Sequence, residues 1–499
     1  MHLLRWLLLL VTLLLTASLP AATIRYTESA CSAYRLVMRL RIREAAQAIS
    51  VIKKNEPQNL ATVHLDNYID FLELFTSDNP QRYALLRKNE EIRLHTIQTA
   101  HPQSPYFLFV QADIRMQWAL LKFRFNEPFA AFLDLSRAYK LLKKNQDLFP
   151  DFLPNYKNLG LIHALAGTVP DSYRWGLKLL GGISGTVNQG KSQLEFVLRK
   201  SQQQDFLFEE ETSLLYAYVL LYLANQGEKA WKVLQEMHLD PTHNPLHCYA
   251  LAGVAMQTGR NESALSILNN RLSNPQVLPF PQLHFMYGNA LLCALNPQAT
   301  AAFQSFLNQY KGRNYIKDCY RKLAWTALVL QKDADSYHRL MQQVILRGFA
   351  DSGADKNALR EAQSGIPPHP ALLKARLRYD GGYFQQSLEI LTTIHPDQLQ
   401  HSAYLLEYYY RKGRVFQSLK NFQAALSCFD QTIASGKNDP SYYACNAALQ
   451  GGLVCEETRQ TQKAFQYFQL CLSLSPEDYQ NSLHQSAKAG LSRLQDAKK

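Results

Sequence analysis

The sequence predicts an all-α chain folded as a solenoid of helical hairpins, closed by a C-terminal capping helix. Three observations predict it. Apolar residues recur with helical spacing along nearly the whole chain, and strand-like alternation is scarce. Breaks rich in proline and asparagine cut that pattern at short intervals. A set of small and large packing residues returns 39 positions later near the C-terminus, which marks an internal repeat.

The length of 499 residues suits two or three ordinary domains or one long array. With 47% hydrophobic and 19% charged residues, the chain can bury a core and is not disordered. Its 22 glycines fall below the usual ~7%, which argues against an all-β protein rich in tight turns.

Residues 1–22 read as a secretory leader. His2 and Arg5 form a weakly basic head, Trp6 to Leu15 is leucine-rich, and Pro20-Ala21-Ala22 supplies small residues for cleavage. The apolar run is shorter than the ~20 residues that span a bilayer and suits a cleaved signal; an uncleaved N-terminal anchor is the alternative. Cys31 lies too far on, after Glu28-Ser29-Ala30, to be lipidated. The expected location is therefore exported, in the periplasm. Beyond the leader the sequence divides into degenerate helical repeats at 23–205, central repeats at 206–365, and C-terminal repeats with a capping helix at 366–499.

The net charge is +12, but the basic residues are dispersed. The densest group is Arg35, Arg39, Arg41 and Arg43. On one helix Arg35, Arg39 and Arg43 would share a face, and they read as a solvated stripe. Export makes nucleic acid the poorest partner. Eight cysteines without any C-x-x-C pair read as buried thiols among apolar helix positions, with one bridge within Cys428 to Cys471 left open.

The breaks lie at Asp78-Asn79-Pro80, His101 to Pro105, Phe149 to Pro154, Asp240 to Pro245, Asn274 to Pro281, Asn296-Pro297, Gly365 to Pro370, Asp439-Pro440 and Ser475-Pro476. Many of the segments between them have the length of ordinary globular helices. At about 40 residues per hairpin the mature chain would hold about 11 or 12 pairs.

The clearest repeat places Gly413, Phe416, Ala425 and Phe429 at the same offsets as Gly452, Cys455, Ala464 and Phe468. Gly413 and Ala425 would let two helices approach closely, while Phe416 and Phe429 fill the wedge. The pattern resembles the tetratricopeptide repeat (TPR), whose small and aromatic positions it matches and whose closing proline is Pro476. The resemblance implies a right-handed solenoid. The period exceeds the standard 34, and the extra residues fit around Ser435 to Asp439. Ala230 and Ala264 keep the standard period, with Leu234 and Leu268 following each. Gly381-Gly382-Tyr383-Phe384 makes a turn between helices, with Ser387 and Leu391 as packing residues. Tyr479 to Ala497 closes the array, where a final pair needs a polar cover. Three blocks, Phe152 to Leu198, Gly312 to Trp325 and Tyr379 to Tyr383, resemble exported TPR proteins of Bacteroidetes-type bacteria. That likeness implies fold and localisation only.

Gly185-Thr186-Val187-Asn188-Gln189-Gly190-Lys191-Ser192 satisfies G-x-x-x-x-G-K-[ST], the phosphate-binding P-loop. A working P-loop follows a buried strand, whereas Trp175, Leu179 and Leu180 have helical spacing. The segment reads as a glycine-rich connection, and a P-loop nucleotide enzyme is the remote alternative. His238, His243 and His247 could suggest zinc, but Pro241 and Pro245 break their spacing, so no metal site is expected. Glu209-Glu210-Glu211 sits where a helix begins, which favours acidic residues without any chemistry. No catalytic residue and no cofactor is expected.

In a TPR array the first helix of each pair lines the concave face. By that resemblance Glu407, Tyr410, Arg414, Gln417 and Ser418 face inward from one repeat, and Asn446, Leu449, Leu453, Glu456 and Glu457 from the next. Tyr410, Arg414, Gln417, Asn446 and Glu456 are the candidate partner-binding residues. The lysine and asparagine set that clamps a terminal carboxylate in chaperone-binding TPRs is absent. The expected function is an exported scaffold for a protein or peptide partner, with neither nucleic acid nor stable membrane insertion. A helical solute- or glycan-binding accessory of an envelope transport system is the alternative.

Overall fold

The computed structural model describes residues 22–169, 182–272, 274–399 and 401–496. The expected leader, apart from Ala22, lies outside them, as does most of the stretch before the P-loop-like segment. Among the described residues every regular element is helical, and β-type pairing is confined to isolated bridges from Ala22 to Ala100 and Thr23 to Asn59.

The chain divides into two compact units. The first runs to Ala250 and includes Arg271–Pro281; the second holds Leu251–Asn270 and the chain from Gln282 onward. The first unit begins with α1 (Glu28–Met38), α2 (Ile42–Asn55), α3 (Ala61–Ser77), α4 (Pro80–Leu86) and α5 (Asn89–Ile97). It continues with α6 (Pro105–Arg124), α7 (Pro128–Leu148), α8 (Leu153–Gly167), α9 (Val187–Ser201), α10 (Glu209–Tyr218) and α11 (Gly227–Glu236). Helix α12 (Pro245–Gln257) carries the chain into the second unit. There follow α13 (Asn261–Asn269), α14 (Gln282–Cys293), α15 (Ala299–Gln309), α16 (Ile316–Thr326), α17 (Ala334–Leu346) and α18 (Gly353–Ser364). The last are α19 (Pro370–Asp380), α20 (Phe384–Thr392), α21 (Ser402–Ser418), α22 (Phe422–Gly436), α23 (Tyr443–Glu457), α24 (Thr461–Ser473) and α25 (Gln480–Asp496).

Several of the breaks read from sequence are helix starts. Pro80, Pro105 and Pro370 stand in first turns, where a missing N–H costs nothing. Ser104 and Thr186 cap their helices by accepting a backbone N–H, the usual service of a short hydroxyl at that position.

The hairpin turns carry the periodicity. A residue with left-handed backbone ends the first helix at Asn225, Gly259, Leu295, Lys332, Gly382, Lys420 and Arg459. In most of them the next N–H reaches back five residues, as Arg260 to Ala255, Asn296 to Leu291, Tyr383 to Arg378, Asn421 to Phe416 and Gln460 to Cys455. That bond satisfies a carbonyl left over at the helix end. Gly382 alone is forced by contact as well as by φ, since a Cβ there would stand 1.9 Å from the Gly259 carbonyl oxygen.

The repeat register holds in the packing. A Cβ on Gly413 would lie 2.6 Å from the Phe429 ring, and one on Gly452 2.5 Å from the Phe468 ring. Ala425, Phe429, Ala464 and Phe468 are all fully buried. Gly288 against Phe303 repeats the contact at 2.6 Å in the hairpin α14–α15. Ala230, Ala264, Leu234, Leu268 and Leu391 are buried as expected, and Ser387 Oγ donates to the Ala375 carbonyl at 2.7 Å. Helix α25 caps the second unit through Leu483, Ala487 and Leu494.

The arginine stripe needs correcting. Leu40 has φ 56° and separates α1 from α2, so Arg35 and Arg43 sit on different helices, although Arg35, Arg39 and Arg43 are all exposed. All eight cysteines are free, and Cys445 Sγ stands 3.6 Å from Cys471 Sγ. Among the described residues no helix is long and apolar enough to cross a membrane.

Candidate functional site

Three consecutive hairpins, α19–α20, α21–α22 and α23–α24, align their first helices in the second unit. Helical spacing puts residues four apart on one face, so Arg376 and Asp380 project together from α19, and Tyr410 and Arg414 from α21. With Tyr379, Arg411 and Tyr442 they line a cavity of ≈ 150 Å³.

Arg414 is its keystone. Its Nη1 donates to Tyr410 Oη at 3.1 Å and its Nη2 to Tyr379 Oη at 3.0 Å. Asn446 Nδ2 donates to the same Tyr410 oxygen at 2.8 Å, and Ser418 Oγ to that of Tyr379 at 3.2 Å. Arg411 is held by Glu407 one turn back. Burial works against the Arg411 charge, but Glu407 beside it outweighs this and holds the guanidinium firmly protonated. Arg414 behaves likewise, with Tyr410 and Tyr379 offsetting burial. Burial also pushes the Tyr410 phenol up, so the hydroxyl keeps its proton.

Of the five candidate residues, the structure brings Tyr410, Arg414 and Asn446 into direct contact. Tyr410 is only 5% exposed; it organises the wall rather than projecting from it. Gln417 lies one turn beyond Arg414, with its Oε1 buried and unbonded. Glu456 is elsewhere, accepting two bonds from Arg493 of α25 at 2.7 and 2.6 Å. Glu407, placed on the same face, serves Arg411. Sequence reasoning missed Arg376, Tyr379, Arg411 and Tyr442. For Arg376 and Arg411, the i, i+4 relation to Asp380 and Glu407 was a readable signal.

Residues 406–434, the hairpin α21–α22, match the family model for the tetratricopeptide repeat. Among solved structures, the chain is similar to a chain of Naa15/Naa10 bound to HypK-THB, at 14% identity and TM-score 0.25, covering 93% of this chain and 65% of that one. The TPR domain of P58(IPK) gives 12% identity and TM-score 0.21 over 86% of this chain and 98% of that one. A chain of the APC/C hetero-tetramer Cut9–Hcn1 gives 12% and 0.24 over 93% and 95%. No curated protein matches.

The other motifs resolve into packing. The P-loop-like segment is helical from Val187, and Thr186 Oγ1 accepts from Gln189 N–H at 3.0 Å. A Cβ on Gly185 would meet His163 at 2.6 Å, and one on Gly190 the Gly160 carbonyl oxygen at 2.3 Å. The glycines let α9 press against α8.

The histidines are bound locally. His243 Nδ1 lies 2.9 Å from Asp240 Oδ2. His247 Nδ1 accepts the Asp240 N–H at 3.0 Å, so its Nε2 carries the proton toward Glu210 at 2.9 Å. Among the described residues no group of histidine, cysteine or carboxylate side chains could hold a metal.

The acidic run does more than start α10. Glu209 accepts from Ser201, and Glu211 enters a buried network in the first unit. Lys157, fully buried, donates to Glu211 Oε1 at 2.7 Å and stands 3.6 Å from Asp113. Tyr34 and Tyr68 donate to Glu211 Oε2 at 2.9 Å each. Asp113 accepts from Asn158 at 2.6 Å and Gln117 at 2.7 Å, and faces His64 Nε2 at 2.9 Å. Burial alone would raise the Asp113 pKa, but Lys157 and then His64 hold it well below the carboxylate range. Each carboxylate oxygen here already has a partner inside the fold, which fits a structural network.

Proposed function

We propose that this chain is an exported TPR-type scaffold. It holds a protein or peptide partner on the face made by the first helices of its C-terminal hairpins, and performs no catalysis. The observation that carries this reading is the cavity among α19, α21 and the start of α23. It combines cationic and aromatic side chains on the face that a TPR array offers to ligands, and such residues are enriched at binding hot spots. Export is supported by the leader-like residues 1–22.

Site-specific photo-cross-linking in the native host tests both parts. A photoreactive residue at Gln450, on the first helix α23, should capture a discrete partner in the envelope fraction. The same group at Gln466, exposed on the second helix α24, should not. Equal capture at both positions, none at either, or a chain confined to the cytoplasm would overturn the corresponding part.

A further inference from the structure

The arginine cavity has a definite charge and hydrogen-bonding deficit. Three guanidinium groups, Arg376, Arg411 and Arg414, face two carboxylates, Asp380 and Glu407. Glu407 is committed to Arg411. Arg376 Nε stands 3.7 Å from Asp380 Oδ2, beyond hydrogen-bond reach. Arg414 Nε is buried with no partner. The oxygens of Tyr379 and Tyr410 each accept two bonds, which leaves each phenol hydrogen to donate. The cavity thus offers donors and one positive charge beyond those its two carboxylates balance.

Resting on the scaffold reading, we infer that this cavity takes the side-chain carboxylate of an aspartate or glutamate within the bound partner polypeptide. A single carboxylate carries the one negative charge the site lacks, whereas a phosphate dianion would overshoot it. Arginine already binds a carboxylate one turn away, in the Arg411–Glu407 pair. The planar guanidinium fork matches carboxylate geometry. The aromatic side chains of Tyr442 and Tyr379 in the lining suit the short aliphatic stem. An internal side chain differs from a clamped chain terminus, for which this sequence has no lysine and asparagine set.

A random dodecapeptide display library selected on the immobilised full chain supplies the probe. Enriched peptides should share an acidic residue at a fixed position. In the synthetic peptide, exchanging that residue for its amide should weaken binding roughly ten- to hundredfold, as loss of a charged hydrogen bond does. Arg376→Gln, the substitution that disturbs the fewest internal bonds, should abolish the preference for acid over amide while a thermal melt stays unchanged. Arg376→Lys should restore part of it. Enriched peptides with no acidic position, or an acid preference untouched by Arg376→Gln, would overturn this inference and leave the scaffold reading standing. Failure to enrich any peptide would overturn the scaffold reading as well.

Discussion

Lys157→Met tests whether the buried network in the first unit holds that unit together. Methionine keeps most of the volume and removes the charge. Lys157 is the ammonium between two carboxylates, at 2.7 Å from Glu211 and 3.6 Å from Asp113. It also lies 5.0 Å from the centre of the Phe208 ring. Without it, Glu211 keeps only the neutral donors Tyr34 and Tyr68, and Asp113 keeps His64, Gln117 and Asn158. Removing one partner of a buried pair typically costs about 3–5 kcal/mol, or roughly a thousandfold in the opening equilibrium. Native-state hydrogen exchange reads this directly in the amides of α3, α6 and α8. Adding Glu211→Gln should recover a large part of the loss, because the amide oxygen still accepts from both tyrosines and one buried charge has gone. A loss below about 0.5 kcal/mol, or a double variant worse than the single one, would refute the reasoning, since only an uncompensated charge makes the second substitution restorative.

Two further outcomes follow from the same structure. Gly413→Leu and Gly452→Leu should each lower stability by about 1–3 kcal/mol through overpacking against Phe429 and Phe468, read in urea melts; two neutral results would mean the repeat register is misassigned. The Asp113 pKa is depressed in the fold, so its contribution is present above the unfolded value of ~3.9 and lost as pH falls through the lower folded value. Urea midpoints should therefore drop below about pH 4, and Asp113→Asn should flatten that acid limb; an unchanged limb would show that other carboxylates set it.

The parts of the fold legible in the sequence are those whose determinants lie inside one hairpin. Gly413, Ala425 and Phe429 are 16 residues apart at most, and their contacts repeat with fixed offsets, so the letters show the packing. The hairpin turns were harder. Left-handed backbone at Leu295, Lys420 and Arg459 uses residue types that carry no turn signature, because the five-residue back-bond fixes the conformation rather than the side chain. The Lys157 network was invisible for a different reason. It joins Tyr34, Asp113 and Glu211 across most of the first unit, and no local pattern encodes such a meeting.

The candidate site divides along the same line. Tyr410 and Arg414 could be placed from one repeat, but their partners Tyr379 and Tyr442 belong to the neighbouring hairpins, and adjacency makes the cavity. Glu456 occupies the matching face of the last repeat, yet there the neighbour is α25, which stands outside the repeat and supplies Arg493. A position's place on the face is therefore periodic, while its chemistry depends on what the next hairpin brings.

The P-loop-like segment shows why a pattern of letters needs its helix start. Glycine serves two physical purposes: it allows backbone conformations closed to other residues, and it lacks a Cβ. A phosphate loop uses the first and begins its helix after the glycines. In this chain the helix begins at Val187, between them, so Gly190 is already one turn in. There a glycine's value lies in close approach, and the 2.3 Å from its would-be Cβ to the Gly160 oxygen shows it in use. The same eight letters can therefore encode a phosphate cradle or a helix contact, and the position of the Thr186 cap decides between them.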